Sequence, residues 1–154
     1  MTTTKVTETV WDPAKKLLTT TISGDIEEED LENWERSLQK ALTEIEANST
    51  FRIFVNLHGF TAANISVHKK FRNIIPLTLA GYGWKVGYVD LFEEEAKAIQ
   101  YFRTRGITCV GAAHSHHDAT KMGLYETRFS RPNEHYFTDP EQAQTWLESL
   151  IFSN

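Results

Sequence analysis

Three of the six histidines fall in one five-residue run, His114-Ser115-His116-His117-Asp118. Neutral imidazoles bind zinc and other transition metals, and a carboxylate such as Asp90 or Asp118 would complete a site. His114, His116, His117 and Asp118 are therefore the candidate ligands of a divalent metal. A hydrolase built on them would use the ion to activate water, with His58 or Asp90 as base. The spacing matches no established zinc motif: HExxH geometry is absent, and no cysteine pair accompanies the histidines. Asp118 serves equally well as the N-cap of a following helix, so a polar loop at a helix start, able to receive an anion there, is the plainer reading. No catalytic residue and no cofactor are assigned, and the metal-dependent hydrolase stands as the alternative.

Other chemistry is sparse. Cys109 sits inside an apolar stretch, where a buried inert thiol is expected rather than a nucleophile. There is no Gly-x-Ser-x-Gly elbow, and Gly81-Tyr82-Gly83 lacks the lysine and spacing of a phosphate loop.

The elements that must position these residues read as an α/β chain: a single central mixed sheet with an N-terminal β-hairpin and helices packed on it. Val6, Glu8 and Val10 alternate with threonines, Leu18, Thr20 and Ile22 repeat the period, and Asp12-Pro13 turns between them. Asp25 and Glu28 have capping-box spacing, followed by Leu31, Trp34, Leu38, Leu42 and Ile45 on one helical face, with Asn48-Ser49 as its end. Residues 51–57 predict a central strand covered on both faces. A helix carrying Val67, Phe71, Ile74 and Ile75 is bent or ended by Pro76. A second central strand is predicted over 85–91, a helix over 93–105 and a third strand over 107–113. A helix from Asp118, a short strand over 134–137 and a helix capped by Asp139, boxed with Gln142, complete the chain; its apolar face is Ala143, Trp146, Leu147, Leu150 and Ile151.

Ligands of open parallel sheets collect beyond the carboxyl ends of the strands. That rule gathers Asn56 with His58, Asp90, and the run from His114 onto one rim, and it makes His58, Asp90 and His114 the candidate ligand-binding residues. Aromatics exceed what the core needs and can line an apolar pocket, with His68, Arg72 and Arg103 available to an anionic headgroup.

Length and composition fit one domain spanning residues 1–154. With 16 basic against 21 acidic side chains the net charge is −5, which disfavours nucleic acid as a partner. The acidic runs Glu27–Asp30 and Glu93–Glu95 read as solvated helix starts. A lone cysteine, a start without signal-peptide character and the lack of any run near the roughly 20 apolar residues of a membrane span predict a cytoplasmic protein without an integral membrane segment.

The hairpin, GDIEEEDLENW, FRIFVNLHGFT and the closing YFTDPEQAQTWL together resemble, in element order over most of the chain, the SpoIIAA-like proteins of the STAS superfamily. That resemblance implies a STAS-like fold and a non-enzymatic regulatory or anchoring role. Bacterial anti-sigma factor antagonists of this class are controlled by phosphorylation of a serine at a helix start. The corresponding stretch here is 61–67, where Asn64-Ile65-Ser66 places isoleucine at the usual acceptor position, so Ser66 or Thr61 would have to substitute. The class is also similar in architecture to the CRAL-TRIO lipid-binding fold, which implies a small apolar or lipid-like ligand; an anionic ligand near His58, Asp90 and His114 is the other option. The expected partner is thus another protein or a small molecule, and a homodimer through a sheet edge is a third option.

Overall fold

The computed structural model describes residues 4–150. Strands β1 (Val6–Asp12) and β2 (Leu17–Ile26) form the expected antiparallel hairpin, and the sheet then continues in parallel through β3 (Thr50–Asn56), β5 (Thr108–Ser115) and β6 (Glu134–Phe137) in the order β1-β2-β3-β5-β6. The short β4 (Phe60–Ala62) pairs with the end of β2. Gly24 lies where β2 passes from β3 to β4, and its φ of +94° is open to glycine at little cost.

Three helices share one face of the sheet. Helix α1 (Glu28–Thr43) buries Leu31, Trp34, Leu38 and Leu42, the predicted stripe, and the Trp34 indole N–H donates to the buried Thr20 hydroxyl at 2.8 Å. Helix α2 (Ile65–Ala80) adds Val67, Ile74, Ile75 and Leu79. Helix α4 (Ala119–Phe129) contributes Met122 to the same side, and α5 (Pro140–Ser149) closes the opposite face with Ala143 and Leu147 against Leu17, Phe54 and Ala113. The two faces follow from strand alternation: Ile53 and Val55 point to the large cluster, Phe54 to the small one.

Several expectations need correction. The first helix starts later than Asp25, because burial of Ile22, Gly24 and Ile26 at period two carries β2 through that point; the capping box is Glu27 with Asp30, whose carboxylate accepts the Glu27 N–H at 3.0 Å. Pro76 does not end α2, which runs four residues past it to Ala80. The Asp139 carboxylate caps α5 by accepting the Glu141 N–H, without Gln142, and Ile151 lies outside the described residues.

The larger correction concerns 81–107. No strand forms over 85–91, since β3 and β5 pair directly and leave no place between them. Trp84, Val86 and Val89 are buried as irregular anchors instead, ending in a 3₁₀ turn at Val89–Phe92. The helix expected over 93–105 shrinks to one turn, α3 (Glu94–Lys97). Beyond it the backbone returns to the end of α2: Phe102 N–H donates to Ala80 and Thr104 N–H to Gly81. Phe102, predicted for a buried helical face, is 58% exposed.

Candidate functional site

A cavity of about 270 Å³ opens beyond the carboxyl ends of β3 and β5. Its floor is buried: Val55, Ile75, His114, Met122 and Tyr136. Its walls are aromatic, from Phe71 of α2, Tyr88 just before the 3₁₀ turn, Phe92 at its end and Tyr125 of α4, and its mouth carries Leu91, His68, Arg72 and Lys121. The missing strand is what makes this space. A strand over 85–91 would lie flat in the sheet, whereas the irregular segment stands off it and presents Tyr88 and Phe92 to the gap.

Glu134 holds the floor in place. It is fully buried yet completely partnered: His114 Nε2 lies 2.8 Å from Oε2, while Oε1 accepts from Arg131 Nη2 at 2.5 Å, Arg131 Nε at 3.2 Å and the Gly87 N–H at 2.9 Å. Burial alone would raise this carboxyl. Hydrogen bonds from His114 and then Arg131, with the guanidinium charge of Arg131, outweigh it and hold the group below the usual carboxylate range. Arg131 also donates to the Lys85 carbonyl and lies 4.8 Å over the Trp84 ring, so one carboxylate ties β5, β6 and the irregular segment together. Gly87 is required by this closeness: a Cβ there would meet Phe129 O at 2.5 Å and the Tyr136 hydroxyl at 2.9 Å.

The His114 ring stacks on Tyr136, with centroids 4.7 Å apart and planes at 11°. Tyr88 packs beside His114 at 5.8 Å and beside Tyr125 at 5.6 Å. Burial first, and the Glu134 charge second, push the Tyr88 and Tyr136 hydroxyls up, so both remain neutral phenols. At the mouth, the Arg72 guanidinium sits 4.8 Å over the Phe92 ring with Glu95 at 4.0 Å, and Lys121 lies 5.7 Å over Tyr125.

The structure gathers only part of the predicted set. His114 is inside β5 rather than after it, and faces the cavity floor. His116 lines the cavity, but its Nδ1 accepts the Asp118 N–H at 3.0 Å; burial, then His117 and Lys121, lower its pKa to about 4. His117 lies at the outer rim, accepting the Gly59 N–H on Nδ1, with His58 edge-on at 6.0 Å. His58 is exposed and does not line the cavity, and Arg103 is likewise outside it. Asp90 is exposed in the 3₁₀ turn, paired with Lys85 at 3.5 Å, because the strand meant to deliver it to the rim does not form.

The proposed metal ligands therefore do not converge. His114 turns to Glu134, the Nδ1 atoms of His116 and His117 take backbone N–H groups, and Asp118 caps α4 by accepting the Lys121 N–H. Among the described residues no group of three or more His, Cys, Asp or Glu side chains is placed to share a metal ion. Thr61 lies in β4, not at a helix start; Asn64 is the cap of α2, and Ser66 is exposed in its first turn. Cys109 is buried as expected, and burial pushes its thiol up.

The chain matches no family model, and neither a curated protein nor a solved structure matches it significantly. Glu134 and Arg131 are the residues that sequence reasoning passed over. The signal for Glu134 is the alternation in Glu134-His135-Tyr136-Phe137, which puts a carboxylate on the same inward face as Tyr136.

Proposed function

We propose that this chain is a non-enzymatic regulatory or interaction domain of STAS type, whose working part is a binding site for a small, largely apolar ligand with an anionic group. The observation that carries this reading is the aromatic cavity beyond β3 and β5, apolar at its floor and basic at its mouth. Such a gradient suits an amphipathic molecule, with the apolar body against Phe71, Tyr88 and Tyr125 and the charge near Arg72 and Lys121. The N-terminal hairpin followed by parallel strands with helices is compatible with the STAS-type part of the proposal. No helix among the described residues is long and apolar enough to cross a membrane, so a ligand drawn from a bilayer would be met from its surface.

The test is a titration with decanoate followed by NMR. One molecule is expected to bind, shifting signals of Tyr88, Tyr125 and Tyr136, and Arg72→Glu is expected to weaken it severalfold. If neither decanoate nor a small nitroaromatic moves those signals, the reading fails.

A further inference from the structure

The floor of the cavity holds two side-chain polar atoms without a hydrogen-bond partner, the Tyr136 hydroxyl and His114 Nδ1, and they differ in that only the first is sealed. Among the described residues, only Trp84 Nε1 and the Tyr136 hydroxyl are sealed side-chain polar atoms without a hydrogen bond. His114 is 5% exposed and bonds only through Nε2, to Glu134. Its Nδ1 therefore has no hydrogen-bond partner yet is not sealed, and the space that His114 borders is the cavity.

The state of that nitrogen follows from its surroundings. Glu134, ionised against the Arg131 guanidinium, only accepts, so the His114 nitrogen facing it carries the proton. Arg131 already balances the Glu134 charge with two hydrogen bonds, and a neutral imidazole completes the group without an uncompensated buried cation. A neutral ring protonated on Nε2 leaves a lone pair on Nδ1. Stacking on Tyr136, with the two ring planes 11° apart, and the Nε2 contact with Glu134 hold the plane of that lone pair.

We propose that His114 Nδ1 is the specificity element of the cavity and selects ligands that bring a hydroxyl or similar hydrogen-bond donor to its floor, an aromatic or apolar alcohol or phenol. This rests on the binding role proposed above and names the chemistry of its ligand. Glu134 acts as a positioning residue: it sets which ring nitrogen accepts. A methyl group in place of the hydroxyl would leave Nδ1 unpaired and dehydrated, which disfavours such a ligand although it is the more hydrophobic one.

The experiment compares 4-nitrophenol, held protonated, with 4-nitrotoluene, which has the same body and a methyl group where the phenol has its hydroxyl. Wild-type protein is expected to bind the phenol about tenfold more tightly. His114→Phe keeps a ring to stack on Tyr136 and is expected to remove that preference while still binding 4-nitrotoluene. Glu134→Gln offers both a donor and an acceptor to Nε2, frees the tautomer, and is expected to reduce the preference rather than overall affinity. Nitrogen-15 spectra of the unliganded wild-type imidazole give an answer independent of any variant's folding: Nε2 protonated and Nδ1 bare supports the proposal, whereas a proton on Nδ1 overturns it. Equal or tighter binding of 4-nitrotoluene overturns it too and leaves the cavity's binding role standing. Failure of decanoate and both nitroaromatics to bind removes that role and the proposal together.

Discussion

Strand β5 shows two different designs on its two faces. Towards α5, Ala113 packs with Leu17, Phe54, Ala143 and Leu147, and the Ser115 hydroxyl donates to Asn56 at 2.9 Å, so apolar and polar atoms alike are closed. Towards α2 and α4, Ala112 belongs to the main core, but His114 and His116 border an open cavity. A small sealed face built on alanines adds stability. The other face combines a fully satisfied carboxylate cluster with an imidazole nitrogen left open, the arrangement on which the proposed binding role rests.

The largest effect expected in breaking this comparison lies beneath the cavity. Glu134→Ala would strand the Arg131 guanidinium, the Gly87 N–H and His114 together, with a loss of about 3–5 kcal/mol in denaturant unfolding. Glu134→Gln, which keeps volume and some hydrogen bonding, should lose clearly less. Equal losses would mean that the charge, rather than the network, holds the irregular segment down.

On the sealed face, Leu147→Ala removes a fully buried side chain and should cost about 3 kcal/mol. Decanoate affinity should stay within about twofold, because Leu147 is across the sheet from the cavity; a larger change would show that the faces communicate. A double variant with Glu134→Gln should be additive in stability to within about 0.5 kcal/mol for the same reason.

Acid should sharpen the contrast by acting on the open face. His116 takes its proton near pH 4 when folded, against 6.5 for the ordinary group. Between these values the unfolded chain binds more protons, so stability falls as pH drops from about 6.5 towards 4. The ring is only partly buried, and after solvent screening the loss is about 1 kcal/mol. Urea unfolding of wild type and His116→Gln at neutral and acidic pH isolates it: the variant should lose less on acidification, and an equal loss would assign the acid sensitivity to other groups.

The sealed face and the helical parts of the open one were legible in the sequence because burial there follows a simple period. Leu31, Trp34, Leu38 and Leu42 repeat at helical spacing, and the strands of the hairpin alternate. Residues 84–92 were not legible, because Trp84, Val86 and Val89 are apolar for reasons of burial alone, and sequence cannot distinguish an inward-facing irregular segment from a strand. The site shared that fate. His114 was found from its residue type, but Glu134, 20 residues away, is joined to it only by the parallel pairing of β5 with β6, and Asp90 followed the strand that does not exist.

The smallest expected change in stability falls at the cavity mouth. Leu91 is 43% exposed, so Leu91→Ala should alter unfolding free energy by no more than about 0.5 kcal/mol. It nevertheless borders the cavity beside Arg72 and Phe92, and loss of that apolar wall should weaken decanoate binding several-fold by titration. This is the inverse of Leu147→Ala, which costs stability and spares binding. If Leu91→Ala destabilised the fold as Leu147→Ala does, the 3₁₀ turn would be part of the core and the two faces of β5 would differ in residue size alone. If it left both stability and binding unchanged, the ligand would have to sit deeper, against His114 and Tyr136, with the turn acting only as the wall behind Tyr88.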